Sequence, residues 1–128
     1  MKSHGLSRSD TRTFPTMTFC LSVQYSFILA IMYITAFRET LASPLPPSNL
    51  TIYLTSLWYD AKGDWHKAHE LINDMEDSTA AWVHAYLHRK EGDLGNAGYW
   101  YRKAGKQPSV VSLANEWTEI VNALLSNG

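Results

Sequence analysis

Four histidines in the middle of the chain come closest to a chemical arrangement. His66 and His69 stand three apart, and His84 and His88 stand four apart. On an α-helix both spacings bring two imidazoles to one face. Antiparallel neighbouring helices carrying such pairs could close a zinc site of His66, His69, His84 and His88. The plainer reading is of half-buried imidazoles bonded to their neighbours, with His84 and His88 turned toward the packing between helices and His66 exposed after a turn. The plainer reading is adopted, so no metal and no cofactor are assigned. Glu70, Asp74, Glu76 and Asp77 form an acidic cluster, and paired carboxylates can do acid–base work. Charges gathered at a helix end are more simply a solvated face. Gly92-Asp93-Leu94-Gly95 has neither the spacing of a phosphate loop nor a preceding strand. Neither Cys20 nor any serine has a histidine and an acid in a nucleophilic arrangement. No catalytic residue is assigned, and the chain reads as a non-enzyme.

The elements that would position these residues are announced by a phrase that occurs twice. GDWHKA at Gly63 to Ala68 returns as GDLGNA at Gly92 to Ala97, with one offset of 29 residues between the glycines, the aspartates and the final alanines. A glycine just past a helix can take the left-handed conformation that closes the last turn. The following aspartate can cap the next helix, and Lys62, Arg89 and Lys90 suit the negative end of the preceding one. Each Gly-Asp pair is thus a stop and a start. Ala68 and Ala97 let two helix backbones approach, with Trp65 and Leu94 as the large neighbours expected to fill the space beside them.

Apolar periodicity sets the helices. Leu50, Leu54, Leu57 and Ala61 share one face of a first helix, with Ser48 or Asn49 as its cap. The second helix is predicted over about 65–75, the third over 79–91 capped by Ser78, and the fourth over 95–104. A fifth begins near Ser112, where Leu113, Trp117, Ile120, Val121 and Leu124 form a stripe opposite Asn115, Glu116, Glu119 and Asn122. Trp117 is expected to pack across the fourth helix near Trp100 or Tyr101. Asn49-Leu50-Thr51 matches a glycosylation sequon, read here as a chance occurrence.

The doubled pattern resembles tetratricopeptide repeats, helix-turn-helix units whose signature includes an aromatic, then Gly-Asp-aromatic, then alanine. The first copy matches at Tyr59, Gly63, Asp64, Trp65 and Ala68. The second extends through Ala97, Tyr101, Ala104 and Pro108, and its AGYWYRKAG run is also similar to SEL-type repeats. The first copy departs at Ile72 and Met75, and the period is shorter than the ~34 residues usual for the family. The resemblance covers roughly 49–108. It implies two helix-turn-helix repeats and a C-terminal helix that caps the exposed end. It also implies a concave face lined by the first helix of each pair, so the expected partner-binding residues are Trp82, Tyr86, Arg89 and Lys90, with Leu57 and Asp60.

Eleven Lys plus Arg against twelve Asp plus Glu give a formal charge of −1, which argues against a surface that neutralises nucleic-acid phosphates. One cysteine excludes an internal disulfide framework. Residues 1–13 are polar and aperiodic. Residues 14–38 contain 24 consecutive uncharged positions ending at Phe37, enough for a helix across a bilayer. This segment could be a membrane anchor, a signal peptide cleaved near Ala42, or a non-spanning extension preceding a start at Met32. The chain is membrane-anchored in the first case and cytoplasmic in the last. Residues 39–48 form a proline-rich linker expected to separate this appendage from a helical body at 49–128. The sequence thus predicts an all-α protein with two tetratricopeptide-like repeats and a capping helix, acting as a protein or peptide interaction module. The alternative is an accessory subunit or metal-binding protein built on the four histidines.

Overall fold

The computed structural model describes residues 24, 25 and 27–127. It divides into two compact units, one reaching Tyr33 and one running from Ile34 onward. The described part of the first is helical and exposes Tyr25, Phe27, Ile28, Ile31, Met32 and Tyr33. Among the described residues no helix is long and apolar enough to cross a membrane. Residues 1–13, and 14–23 of the expected apolar segment, lie outside the described residues.

The larger unit is all-α, with no strand among the described residues. Helical residues 34–39 (α1) run into a 3-10 turn at Thr40–Ala42. They are followed by α2 (Ile52–Ala61), α3 (Trp65–Ile72), α4 (Ser78–Glu91), α5 (Leu94–Ala104) and α6 (Leu113–Asn127). The two Gly-Asp turns have the same geometry. Gly63 and Gly92 have φ of 90° and 91°, a conformation that disfavours any side chain. The carboxylates of Asp64 and Asp93 accept the N–H groups of Lys67 and Asn96. α2 is capped by Thr51 rather than Ser48 or Asn49, and α4 by Asp77 rather than Ser78. In each case the capping residue has extended backbone and a side-chain oxygen within reach of the third N–H downstream, as the motif requires. α3 ends at Ile72, short of the expected Met75.

α4 runs through the middle of the core. Ala80, Ala81, Val83, Ala85, Tyr86 and Leu87 are buried on it; Ala80, Val83, Tyr86 and Leu87 cluster with Leu54, Leu57 and Trp58 of α2, Ile72 of α3 and Ile120 and Val121 of α6, and Ala85 with Ala97 and Tyr101 of α5. Each large apolar side chain removed from water contributes roughly 1.5–3 kcal/mol, and small residues on α4 let its neighbours come close. Ala68 and Ala97 are buried as the repeat pattern requires. Leu94, expected to fill space beside Ala97, is exposed, whereas Trp65 is half-buried and donates from its indole to the Leu87 carbonyl at 2.8 Å.

The core extends upstream of the expected boundary at residue 49. Ile34 and Phe37 are buried in it, and the Trp58 indole donates to the Thr40 hydroxyl at 3.1 Å. The Lys62 ammonium binds the carbonyls of Leu41 and Ser43. Prolines stop a helix from continuing but do not prevent the chain before them from packing, so 39–48 is a strap on the body rather than a spacer. Trp117 likewise sits elsewhere than expected. Its ring meets Phe37 at 5.9 Å and its indole donates to the Leu57 carbonyl at 3.1 Å, because α6 packs chiefly on α2 and α4 rather than on α5.

Candidate functional site

The seating of α6 across α2 and α4 leaves a cleft of 420 Å³ between α2, α4, α6 and the strap. Tyr86, Trp117, Leu41 and Leu113 supply apolar surface, and Arg38, Asp60 and Lys90 supply charge. Asp60 is almost wholly buried on α2, yet both its oxygens are satisfied. One accepts the Tyr86 hydroxyl at 3.0 Å and the other the Lys90 ammonium at 2.9 Å. Burial and the adjacent Asp60 carboxylate raise the Tyr86 phenol well above its ordinary value, so it remains a donor. At the other side, the Arg38 guanidinium lies 5.8 Å from the Trp117 ring and donates to the Thr118 hydroxyl. No carboxylate pairs with Arg38 among the described residues.

Of the six residues expected at a binding face, Asp60, Tyr86 and Lys90 converge on this cleft. Leu57 lies beneath it, fully buried. Trp82 is half-buried on another side of α4, with the Lys106 ammonium 4.0 Å above its ring, and borders a smaller cleft with Thr79 and Leu124. Arg89 is committed to internal bonding: it donates to Glu116 at 2.8 Å and to the Val111 carbonyl. Sequence reasoning missed Arg38, which stood in the supposed appendage, as well as Leu41, Leu113 and Trp117 as cleft residues.

Glu116, expected on the polar face opposite the α6 stripe, is 1% exposed. It accepts from Arg89 of α4 and from the Tyr101 hydroxyl of α5 at 2.5 Å, so one carboxylate ties three helices. Burial and this carboxylate together push the Tyr101 phenol up.

The histidines divide as the register implies. His66 is exposed, while His69 of α3 meets His84 and His88 of α4. The Nε2 atoms of His69 and His84 are 2.9 Å apart. His88 Nδ1 lies 2.7 Å from a Glu91 oxygen. Trp65 stacks on His69 and Trp100 on His84. Burial, followed by the proximity of His69 and His88, lowers His84 to about 3. His69 is lowered chiefly by burial and then by His88. His69 and His84 are therefore neutral near pH 7 and offer lone pairs rather than charge. The acidic residues do not assemble. Asp77 caps α4 and accepts the Tyr53 hydroxyl, while Glu76 pairs with Lys103 at the surface.

Comparison with protein-family models, with curated proteins and with solved structures finds no match for this chain.

Proposed function

We propose that this chain is a protein-interaction module built of two tetratricopeptide-like helix pairs, α2–α3 and α4–α5, closed by α6, and that it holds a partner's peptide segment in the cleft beside α6. The repetition of one turn geometry at Gly63-Asp64 and Gly92-Asp93 supports the repeat reading. The observation that carries the binding reading is the cleft itself, in which aromatic and aliphatic surface from Tyr86, Trp117 and Leu113 lies beside the Arg38 cation. Aromatic side chains with arginine beside them are the usual carriers of interface energy. Asp60 neutralises Lys90, so the remaining charge of the cleft is the positive one of Arg38. The segment that fits has a large apolar side chain next to a carboxylate.

The test is selection from a random peptide display library on the purified chain. Enriched sequences should pair Leu, Ile or Phe with an adjacent Asp or Glu, and Arg38→Glu should weaken them by about tenfold, the equivalent of one charge-assisted contact of roughly 1.4 kcal/mol. Enriched peptides that bind wild type and Arg38→Glu equally would refute the assignment.

A further inference from the structure

We propose that His69, His84 and His88 form a binding site for one divalent transition-metal ion of the zinc class, separate from the peptide cleft. Two adjacent helices converge three imidazoles at one place, with one ligand nitrogen from each lying within 4.8 Å of the others. His84 and His88 sit one turn apart on α4 with rings stacked at 4.8 Å, and His69 faces both across the α3–α4 contact with ring centroids at 4.7 and 5.1 Å. Tetrahedral bonds of ~2.0–2.1 Å to zinc place ligand nitrogens about 3.3 Å apart. The His69–His84 separation of 2.9 Å has therefore only to open slightly, and the wider separations close by side-chain rotation.

Three further features belong to a ligand site more than to a plain core contact. First, the 2.9 Å approach of two Nε2 atoms needs a proton between them, the position that an ion bonded to both nitrogens would take in its place. Secondly, Glu91 receives His88 Nδ1–H, which fixes the tautomer and presents the Nε2 lone pair to the cluster, the carboxylate–histidine arrangement that orients metal ligands. Thirdly, His69 is only half-buried, which gives an ion an entry path and leaves a fourth position for water. Three imidazole nitrogens as ligands select zinc, cobalt, nickel or copper over the oxygen-seeking magnesium and calcium.

The test is equilibrium dialysis of the tag-free full chain against zinc, with His69→Ala, Glu91→Gln and the exposed control His66→Ala, each checked for helical content beforehand. Wild type and His66→Ala should bind one zinc with equal affinity. Glu91→Gln should bind about tenfold more weakly, within the 10- to 100-fold range for second-shell losses, and His69→Ala should exceed that range. Absence of stoichiometric binding at 100 µM free zinc, about the concentration of a weak surface site, would overturn the proposal. So would a loss in His66→Ala as large as that in His69→Ala. Because His69 is half-exposed, its substitution should leave the fold intact. If it does not, retention of one zinc by Glu91→Gln at wild-type affinity decides against the site.

Discussion

Replacing Glu116 by alanine should be among the most damaging single changes in this protein. The carboxylate is 1% exposed and accepts from Arg89 at 2.8 Å and from the Tyr101 hydroxyl at 2.5 Å. Its removal leaves a guanidinium side chain that is only 20% exposed beside a hole, and a buried phenol without an acceptor. Breaking a buried pair by deleting one partner costs about 3–5 kcal/mol because the other charge stays desolvated. Arg89 keeps some solvent contact and its bond to Val111, which places the expected loss near the lower figure. The lost Tyr101 bond adds about 1 kcal/mol. Against a total stability of about 5–15 kcal/mol, and with each kcal/mol lowering the midpoint by roughly 4–8 °C in a domain of this size, Tm should fall by more than about 10 °C. The assay is a thermal melt followed by helical circular dichroism, run for Glu116→Ala, Arg89→Ala and the double variant. Desolvation of an orphaned charge predicts that the double variant is no less stable than Glu116→Ala alone. A Glu116→Ala protein melting within 2 °C of the parent, or single losses that simply add, would refute the reasoning.

Phe37→Ala should cost about 3 kcal/mol or more, the usual effect of truncating a buried aromatic, since Phe37 is 4% exposed and packs on Trp117; urea unfolding gives the value, and a change below 1 kcal/mol would detach α1 from the body. Gly92→Ala should lose about 1 kcal/mol, because φ of 91° strains any side chain, while Gly95→Ala, at a helical position with open space around it, should be neutral or stabilising. With a chelator present, stability should fall as the pH drops below 6.5 toward 3. His84 takes up its proton near 6.5 when unfolded but only at about 3 when folded, so protons favour the unfolded chain across that window. Urea midpoints at pH 7 and pH 5 should differ for the parent and differ less for His84→Phe, which keeps a ring against Trp100.

The local parts of this fold were legible because their causes are local. Glycine at 63 and 92 with aspartate beside it dictates a left-handed turn and a cap through atoms a few residues apart, and the turns formed where the sequence placed them. Asp77, not Ser78, starts α4 because both can cap and only geometry chooses. What escaped was long-range. Glu116 sits at the flank of the α6 stripe, three residues after Leu113 and four before Ile120, and nothing nearby in sequence reveals that its partner is Arg89, 27 residues away. Arg38 falls in the expected appendage and Leu41 in the expected linker because the prolines at 44, 46 and 47 read as a break; their contacts with Thr118 and Lys62 depend on how the strap folds back. The histidine cluster stands between these cases. Spacing on each helix, the exposure of His66 and the three-residue step from His88 to Glu91 are local, but only packing brings His69 onto His84 and His88.

The most direct test of the binding assignment is a nitrogen-15 NMR titration of the chain with a display-selected peptide. Occupation of the cleft predicts the largest shifts at Ala61, Tyr86, Lys90, Ala114 and the Trp117 indole, which surround it on three helices. Shifts concentrated at Thr79, Trp82 and Leu124, around the smaller cleft, with the Trp117 indole unmoved, would contradict it.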